Sequence, residues 1–361
     1  MTSTASLPEV IVAGVDTHRD THHVAVIDQV GRHLADAEFP ATKRGYQRLL
    51  AWVRAHGTAE RVGVEGTGSY GAGLARFLAE AAVPVVEVDR PDRRARRAKG
   101  KSDAIDAYAA ATAALNGTAS GVPKSRAGLV EAVRALRAAR RGAIKARTQT
   151  MNQIRALIVT APVELREQLR GAAAGALVSS CARLRPVWPA GSAVESDTVP
   201  AATALAAAKS ALRRLARRHQ YLSQEIGELD AELRPLVEGV APALMGLQGV
   251  GTEVAGQLLA CVGDNPHRLR SEAAFAHLCG VAPIPASSGR TDRHRLNRGG
   301  DRSANNALHT IVLCRMRYDT RTRAYIARRR AKGLGTKEIM RCLKRYVARE
   351  VFNHLPRLDT P

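Results

Sequence analysis

Four carboxylates in the first third of the chain have the residue types and spacing of a divalent-metal site. Asp16 follows the apolar run at 9–15, and Glu65 ends a second apolar run. Asp103 and Asp106 open the segment DAIDAYAAATAAL at i, i+3 spacing, so both project from one face of a helix. Four acids form the hard oxygen cage that two Mg²⁺ ions, or Mn²⁺, need for phosphodiester chemistry.

Two of these acids also have a simpler interpretation. Acids in the first turn of a helix complement the helix dipole, which explains Asp103 or Asp106 taken alone. Convergence of all four would be electrostatically unfavourable without cations, so it would itself argue for metal. Lys99 and Lys101 precede the pair and are candidates to hold a phosphate, the alternative being ordinary solvated loop charges.

The elements around the acids predict a mixed α/β sheet with helices on its faces. Residues 9–15, THHVAVID and HLADAEFP are expected to form three strands, followed by a helix over 45–56. The strand RVGVEGTGS, the helix YGAGLARFLAEA and the strand PVVEVDR complete the pattern. This order is the one found in ribonuclease-H-like folds.

The rest of the chain is predicted to be mainly helical. Long Ala, Leu and Arg segments at 124–160 and 203–235 predict an antiparallel helical hairpin or coiled coil, with 171–202 as an insertion or loop without a clear period. The predicted domains are an α/β domain at 1–122, a helical hairpin at 123–238 and a mainly helical domain at 239–361.

A glycine-rich turn opens the predicted C-terminal domain. In LMGLQGVGTEVAGQLLACVGD, Gly249 and Gly251 lie between two short apolar segments, which is the form of a helix-hairpin-helix. Such a turn presents backbone N–H groups to a phosphate. An ordinary glycine turn between packed helices explains the same residues equally well.

The charge balance indicates a polyanionic partner. The chain has 55 Lys plus Arg against 33 Asp plus Glu, a formal net charge of +22, and arginine dominates the excess. Guanidinium groups make forked contacts to phosphate and guanine, so nucleic acid is favoured over a merely soluble basic protein. The candidate contacts in the C-terminal loop are Arg290, Arg293, Arg295, Arg298 and Arg302, and a basic helical stripe follows at Arg315, Arg317, Arg321, Arg323, Arg328, Arg329 and Arg330.

Cysteine usage and hydropathy predict a cytoplasmic protein. The five cysteines have no C-x-x-C pairing, so they are expected to be reduced core residues rather than zinc ligands or disulfides. The N-terminus lacks a basic patch followed by an apolar run, and the chain has no run of 18 uncharged apolar residues. No membrane association is expected.

The blocks that carry the acids resemble a known family. VDTHRDTHHVAVID, VGVEGTGSYG and KGKSDAIDAYAAA are similar to three blocks of the DEDD transposases, the insertion-sequence family numbered one hundred and ten, related to pilin-gene invertases. GLQGVGTEVAGQLLACVGD, FAHLCGVAPIPASSGR and HRLNRGGDRSANNAL are similar to that family's second domain, in the same order.

The resemblance implies a RuvC-like domain whose acids bind divalent metal, and a C-terminal domain with a catalytic serine. The family serine precedes a glycine in a basic loop after a G-x-x-P segment, which points here to Ser288 before Gly289, with Ser287 as the alternative. On its own, a Ser-Gly in a polar loop is usually a turn. The resemblance further implies donor and target DNA, a guide RNA, a dimer or tetramer, and a bacterial, nucleoid-associated location.

Three competing functions use the same residues differently. A RuvC-like nuclease or junction resolvase would use water as the nucleophile and need no serine. Actin-like and sugar-kinase ATPases share the strand-turn-strand opening but need a later glycine-rich phosphate segment, which the chain lacks. A non-catalytic nucleic-acid-binding protein is the third, and metal-dependent strand cleavage would separate it from an enzyme.

Overall fold

The N-terminal part of the molecule is a five-stranded mixed sheet. The computed structural model describes residues 10–88, 102–189 and 199–356. The strands lie in the order β3-β2-β1-β4-β5, with β2 antiparallel to β1 and β3, and β4 parallel to β1 and β5. Their bounds are β1 Val10–Thr17, β2 Thr21–Asp28, β3 His33–Pro40, β4 Thr58–Glu65 and β5 Val85–Val88. The predicted mixed α/β sheet is therefore confirmed.

Three helices cover the two faces of this sheet. They are α1 Lys43–Arg54, α2 Ala72–Glu80 and α3 Asp103–Leu115. On one face, Leu49 of α1 and Leu74 of α2 share a buried cluster with Val15. On the other face, Ala111 of α3 packs in a cluster with Val12. The alternation of side chains along β1 thus supplies apolar contacts to both layers.

Helix α3 approaches the sheet closely because glycines stand beneath it. A Cβ at Gly14 would lie 2.0 Å from the Ala111 backbone nitrogen and 2.2 Å from the Ala107 carbonyl oxygen. At Gly63 a Cβ would lie 2.6 Å from the Ala110 carbonyl oxygen. The small residues of the sheet and of the helix therefore allow backbone-to-backbone packing, which fixes α3 against β1 and β4.

The described residues form two compact units. One contains the sheet and runs to Glu131, with Gly246–Gly249 and the residues from Leu258 onward. The other contains Ala132–Met245 and Val250–Gln257. The predicted domain boundaries remain predictions.

Two long helices dominate the second unit. They are α4 Leu129–Val159, which begins in the first unit, and α7 Val199–Val240. Ile154 shares a buried cluster with Leu212, whereas Ala143, earlier in α4, packs with Ile226, later in α7. This register makes the pair antiparallel, as the helical patterns predict. The Arg140 Nε donates to Asp230 Oδ1 at 2.5 Å along the same seam.

The predicted irregular insertion at 171–202 is partly helical. Between the long helices lie α5 Val163–Leu169 and α6 Ala174–Arg183. Leu177, Val178 and Cys181 of α6 are buried in the cluster that includes Leu212 of α7. Its apolar face is short and surrounded by Ala and Gly, so it gives little periodic signal in the sequence.

The C-terminal part is mainly helical, as predicted. Its helices are α8 Pro242–Met245, α9 Thr252–Val262, α10 Glu272–Leu278, α11 Arg302–Tyr318, α12 Thr320–Ala331 and α13 Thr336–Asn353. Two short strands, β6 Ile284–Pro285 and β7 His294–Arg295, form an antiparallel hairpin. Phe275, Ile311 and Val351 are among the buried side chains of this helical part. None of the described helices combines the length and apolar character needed to cross a bilayer.

A short seam, formed by Lys124 and Arg268, joins the segment that follows the sheet to the C-terminal part of the first unit. The Lys124 ammonium donates to the Ala260 carbonyl oxygen at 2.8 Å, close to the C-terminus of α9. The Arg268 Nε donates to the Val122 carbonyl oxygen at 2.9 Å, and its guanidinium lies 3.7 Å from Glu87 at the end of the sheet. A cation at the C-terminus of a helix is favoured by the helix dipole, which supports the position of Lys124.

Candidate active site

Three of the four candidate acids line one cavity at an end of the sheet. Asp16, Glu65 and Asp106 surround a space of about 250 Å³. The cavity is completed by Thr17, His18, Gly66 and Ser69. Asp103 is connected to the same group through His18, whose ring lies between Asp103 and Asp16.

The parallel pairing of β1 and β4 places Asp16 and Glu65 together. Both residues lie at the carboxyl ends of their strands, and parallel neighbours end at the same edge of a sheet. The Thr17 hydroxyl donates to the Glu65 backbone carbonyl oxygen at 2.9 Å, which ties the two strand ends together. Gly66, with a φ of +67°, then turns the chain away from the edge.

The first turn of α3 supplies the other two acids. Ser102 caps the helix, since its hydroxyl accepts from the Ile105 N–H at 3.3 Å. Asp103 and Asp106 follow in the first turn, where carboxylates are favoured by the helix dipole. Asp106 is buried, with 2% of its surface exposed, whereas Asp103 is half-exposed. A buried acid in a helix start needs more than a dipole to explain it.

The electrostatics of the cluster favour a bound cation. Burial raises the pKa of Asp16 above its usual value; the His18 ring opposes this, and the carboxylates of Asp106 and Asp103 reinforce it. A nearby positive charge would relieve both the burial and the repulsion. Carboxylate oxygens are the ligands that Mg²⁺ and Mn²⁺ prefer, so the residues fit a divalent ion.

His18 is a member of the cluster that the sequence reasoning missed. Its Nε2 lies 3.3 Å from Asp16 Oδ2 and 3.2 Å from Asp103 Oδ1. Donor atoms of these three residues all lie within 4.8 Å of one another. The only signal in the sequence is its place two residues after Asp16, in a turn with no periodic pattern.

The serine candidates lie at the tip of the C-terminal hairpin. Ser288 and Thr291 exchange backbone hydrogen bonds of 3.1 and 3.0 Å around a two-residue turn, in which Gly289 has a φ of +55°. The Ser287 hydroxyl donates to Asp292 Oδ1 at 2.8 Å and accepts from the Arg293 N–H at 3.2 Å. Ser287 is thus engaged within the hairpin.

The candidate nucleic-acid contacts are distributed over an exposed basic surface. The five arginines of the loop and of the start of α11 are all solvent-exposed: Arg290, Arg293, Arg295, Arg298 and Arg302. The helical stripe is less uniform. Arg315 is mostly buried and pairs with Glu350 at 2.5 Å, so its guanidinium is used within the protein. Lys99 and Lys101 lie outside the described residues.

The glycine-rich turn connects α8 to α9. Gly249 has a φ of +85°, and a Cβ there would lie 3.2 Å from the Cys314 Cβ. The left-handed backbone therefore favours glycine at this position, and the close approach of Cys314 in α11 leaves little room for a Cβ. A Cβ at Gly251 would meet no atom within 4 Å, so the fold itself places no such demand on Gly251.

Two family models match the chain. A transposase model of the DEDD type, named for the insertion element IS110, matches residues 13–161, which include all four acids. A second, described as the transposase family of IS116, IS110 and IS902, matches residues 241–327, which include both serines.

Two curated proteins are similar over part of their length. A 42 kDa protein of the insertion element IS900 from Mycobacterium paratuberculosis, described as uncharacterized, is 31% identical over 194 residues, covering 49% of this chain and 47% of that protein. A 43.6 kDa protein of IS110 from Streptomyces coelicolor, also described as uncharacterized, is 35% identical over 109 residues, covering 29% and 26%. The matched stretches thus span about half and about a quarter of those relatives.

Proposed function

The chain belongs to the IS110 family of insertion-element transposases, and from that premise we propose that it is a transposase or recombinase that cuts and rejoins DNA strands. The observation that carries the proposal is the grouping of Asp16, Glu65 and Asp106 around one cavity, with Asp103 joined through His18. The strand order of the sheet supports a ribonuclease-H-like, RuvC-like assignment for this part.

The four acids form the proposed metal site. A divalent ion, Mg²⁺ or Mn²⁺, would supply Lewis-acid activation of the attacking oxygen and stabilisation of the leaving oxygen. Asp16 and Asp106 hold their carboxylates in a buried position, where an electrostatic interaction with the ion is strong. Glu65 and Asp103 complete the set from the strand end and the helix start.

Ser288 is the proposed nucleophile. Its hydroxyl oxygen attacks the DNA phosphorus, so that one phosphoester bond forms as the bond to the leaving sugar oxygen breaks. The serine proton leaves with the released sugar hydroxyl, and the number of phosphoester bonds is conserved for rejoining. Ser288 is favoured over Ser287 because the Ser287 hydroxyl is held by Asp292 and Arg293 within the hairpin.

The basic surface is proposed to hold the nucleic acids. The exposed arginines of the serine hairpin fit contacts to the DNA backbone, and the turn at Gly249 and Gly251 is a candidate helix-hairpin-helix. The same proposal includes donor and target DNA and a guide RNA from the element. It also includes a dimeric or tetrameric assembly and a nucleoid-associated cytoplasmic location. Arginine-rich surfaces also suit the backbone of a guide duplex.

A covalent adduct assay tests this function. The purified protein is incubated with Mg²⁺, the noncoding RNA of the element and cognate DNA, and protein–DNA adducts are resolved on a denaturing gel. We expect an adduct in the wild type and in Ser287→Ala, and none in Ser288→Ala. Asp16→Ala should abolish both cleavage and adduct, because the carboxylate site is required for either step.

The principal alternative is a RuvC-like nuclease or junction resolvase that uses water. Its chemistry needs only the carboxylate cluster, whose members Asp16, Glu65 and Asp106 line one cavity. It predicts metal-dependent cleavage without an adduct, unchanged in Ser288→Ala. That result would replace the recombinase proposal while leaving the carboxylate site in place.

A further inference from the structure

His18 lies between two of the four carboxylates, and the proposed chemistry gives it no role. About two-fifths of its side chain is exposed, yet its Nε2 atom is shielded from solvent. That nitrogen points to the oxygens of Asp16 and Asp103, at 3.3 and 3.2 Å. The ring therefore directs its Nε2 atom into the site while another part of the side chain stays exposed.

The turn between β1 and β2 holds the ring in this place. The His18 backbone N–H donates to the Thr21 carbonyl oxygen at 3.0 Å, which closes the turn. On the other side, the Thr17 hydroxyl is tied to the end of β4 through the Glu65 carbonyl oxygen. Both residues that flank the turn belong to paired strands, so the backbone that carries the imidazole is well defined.

The spacing of the three donor atoms fits neighbouring ligands of one ion. Octahedral bonds of about 2.1 Å place adjacent ligand atoms about 3 Å apart. The separations of 3.2 and 3.3 Å from Nε2 to the two carboxylates are close to that value. All three donor atoms also fall within 4.8 Å of one another.

We propose that His18 is a nitrogen ligand of the metal ion and that it makes the site prefer Mn²⁺ over Mg²⁺. The inference rests on the metal site of the proposed function and adds a fifth donor to it. An imidazole nitrogen strengthens binding of first-row transition ions, whereas Mg²⁺ prefers oxygen ligands and keeps its waters. His18 is then a specificity-determining residue for the ion.

A different role would fit the same distances. A charged imidazolium can bridge two carboxylates as an ion pair, in which case it occupies the position of the cation and leaves when the metal binds. The two roles differ in one observable, since only a ligand has its nitrogen bonded to the bound ion.

Electron spin-echo modulation of Mn²⁺ distinguishes them. Tag-free full-length protein is loaded with one equivalent of Mn²⁺, and the modulation from a directly bound ¹⁴N nucleus is recorded. We expect this signal in the wild type, its replacement by a ¹⁵N pattern in protein labelled with ¹⁵N-histidine, and its loss in His18→Ala and His18→Gln. His56→Gln is the matched control, because the His56 Nδ1 atom lies 2.9 Å from the Trp52 carbonyl oxygen at the end of α1, outside the carboxylate cluster.

Titration of the same variants measures the preference. His18→Gln should weaken Mn²⁺ binding by about tenfold or more, the scale at which ligand-shell changes act, and change Mg²⁺ binding by less than about twofold. Circular dichroism confirms that each variant is folded. His18→Gln keeps the size and polarity of the side chain, so it remains informative where His18→Ala unfolds.

The outcomes separate this inference from the proposed function. Mn²⁺ that binds in an Asp16-dependent manner without nitrogen modulation would overturn the role of His18 and leave the carboxylate site standing. Failure of the wild type to bind Mn²⁺ at all would overturn both. Nitrogen modulation that persists in His18→Gln would assign the ligand to another histidine and equally refute the proposal.

Discussion

Asp16 is buried and lies near other carboxylates, and both conditions raise the free energy of its charged form. The pKa of its carboxyl is raised above the usual value, with burial as the main cause. A group in this state destabilises the protein when it is ionised without a partner. Residues arranged in this way are common at functional sites, where a ligand rather than the fold satisfies the charge.

Asp16→Asn should therefore stabilise the metal-free protein and abolish its response to metal. The amide has nearly the same shape but no charge, so it removes burial of a charge and repulsion from Asp106. In chelator the melting temperature of Asp16→Asn should exceed that of the wild type. Addition of Mn²⁺ should raise the melting temperature of the wild type only. A variant that melts earlier in chelator would contradict this account of the cluster.

His22 is a second residue whose environment conflicts with its chemistry. It is fully buried, its ring stacks on Tyr46 with centroids 5.6 Å apart, and neither ring nitrogen has a hydrogen-bond partner among the described residues. Burial lowers its pKa below 6.5. The folded protein therefore holds the imidazole neutral where the unfolded chain would protonate it.

This predicts an acid-labile contribution at His22. The stabilisation is present above pH 6.5 and is lost as the pH falls from 6.5 through the lowered folded-state pKa, because only the unfolded state takes up the proton in that window. His22→Phe keeps the stacked ring without the titration. Urea unfolding between pH 8 and pH 5 should show a shallower loss of stability in this variant, and parallel curves would refute the assignment.

At the scale of elements, the packing of α3 on the sheet determines where the acids meet. Asp103 and Asp106 are brought to the end of β1 because the helix rests on Gly14 and Gly63. Any side chain at these glycines must push the helix backbone away. The geometry of the site is thus set by two residues that take no part in it.

Gly14→Ala should destabilise the protein by about 3 kcal/mol, which is at the upper end of the range for overpacked sites. The same substitution should also weaken metal binding. Its added methyl group would meet the backbone of α3 at 2.0 Å. Gly142→Ala in α4 is the matched control, because a Cβ there meets nothing within 4 Å. In a helix interior that change should stabilise by about 0.5–1 kcal/mol. Denaturant unfolding and Mn²⁺ titration measure both effects, and equal stabilities for the two variants would be incompatible with the close packing.

Apolar spacing along the sequence predicts most strands and helices, and the features that were not predicted lack such spacing. β2, β3 and α3 have the bounds that their sequences suggest, since alternating and helical apolar spacing follows from burial. Helix α6 was not predicted because its apolar face is short. His18 was not identified as a site residue because a turn has no periodic apolar pattern. The closeness of the four acids depends on parallel pairing of β1 with β4, which sequence patterns do not specify.

At the scale of the whole molecule, the charge of +22 predicts salt-sensitive binding of nucleic acid. Each phosphate contact that is lost reduces the slope of log affinity against log salt by about 1. Alanine substitutions at Arg290, Arg293 and Arg295, which are exposed in the hairpin, should lower that slope stepwise. Filter binding of DNA from 50 to 400 mM salt would measure it.

Arg315→Ala provides the contrast. Its guanidinium pairs with Glu350 and donates to the Gln248 carbonyl oxygen at 2.8 Å, so it is committed to the fold. This variant should lose thermal stability and keep the salt slope. A reduced slope in Arg315→Ala with unchanged slopes in the hairpin variants would place the nucleic-acid surface on α11 instead.

The seam between Lys124 and Ala260 has a consequence for the order of events during synthesis. The two partners are separated by 136 positions in the chain. At translation rates of about 5–20 residues per second, roughly 7–27 s pass between the synthesis of Lys124 and the synthesis of Ala260. A chain interrupted in that interval carries the four acids without the seam and without the serine hairpin. On the proposed function, the carboxylate site and the serine nucleophile are therefore present together only after synthesis has passed the hairpin.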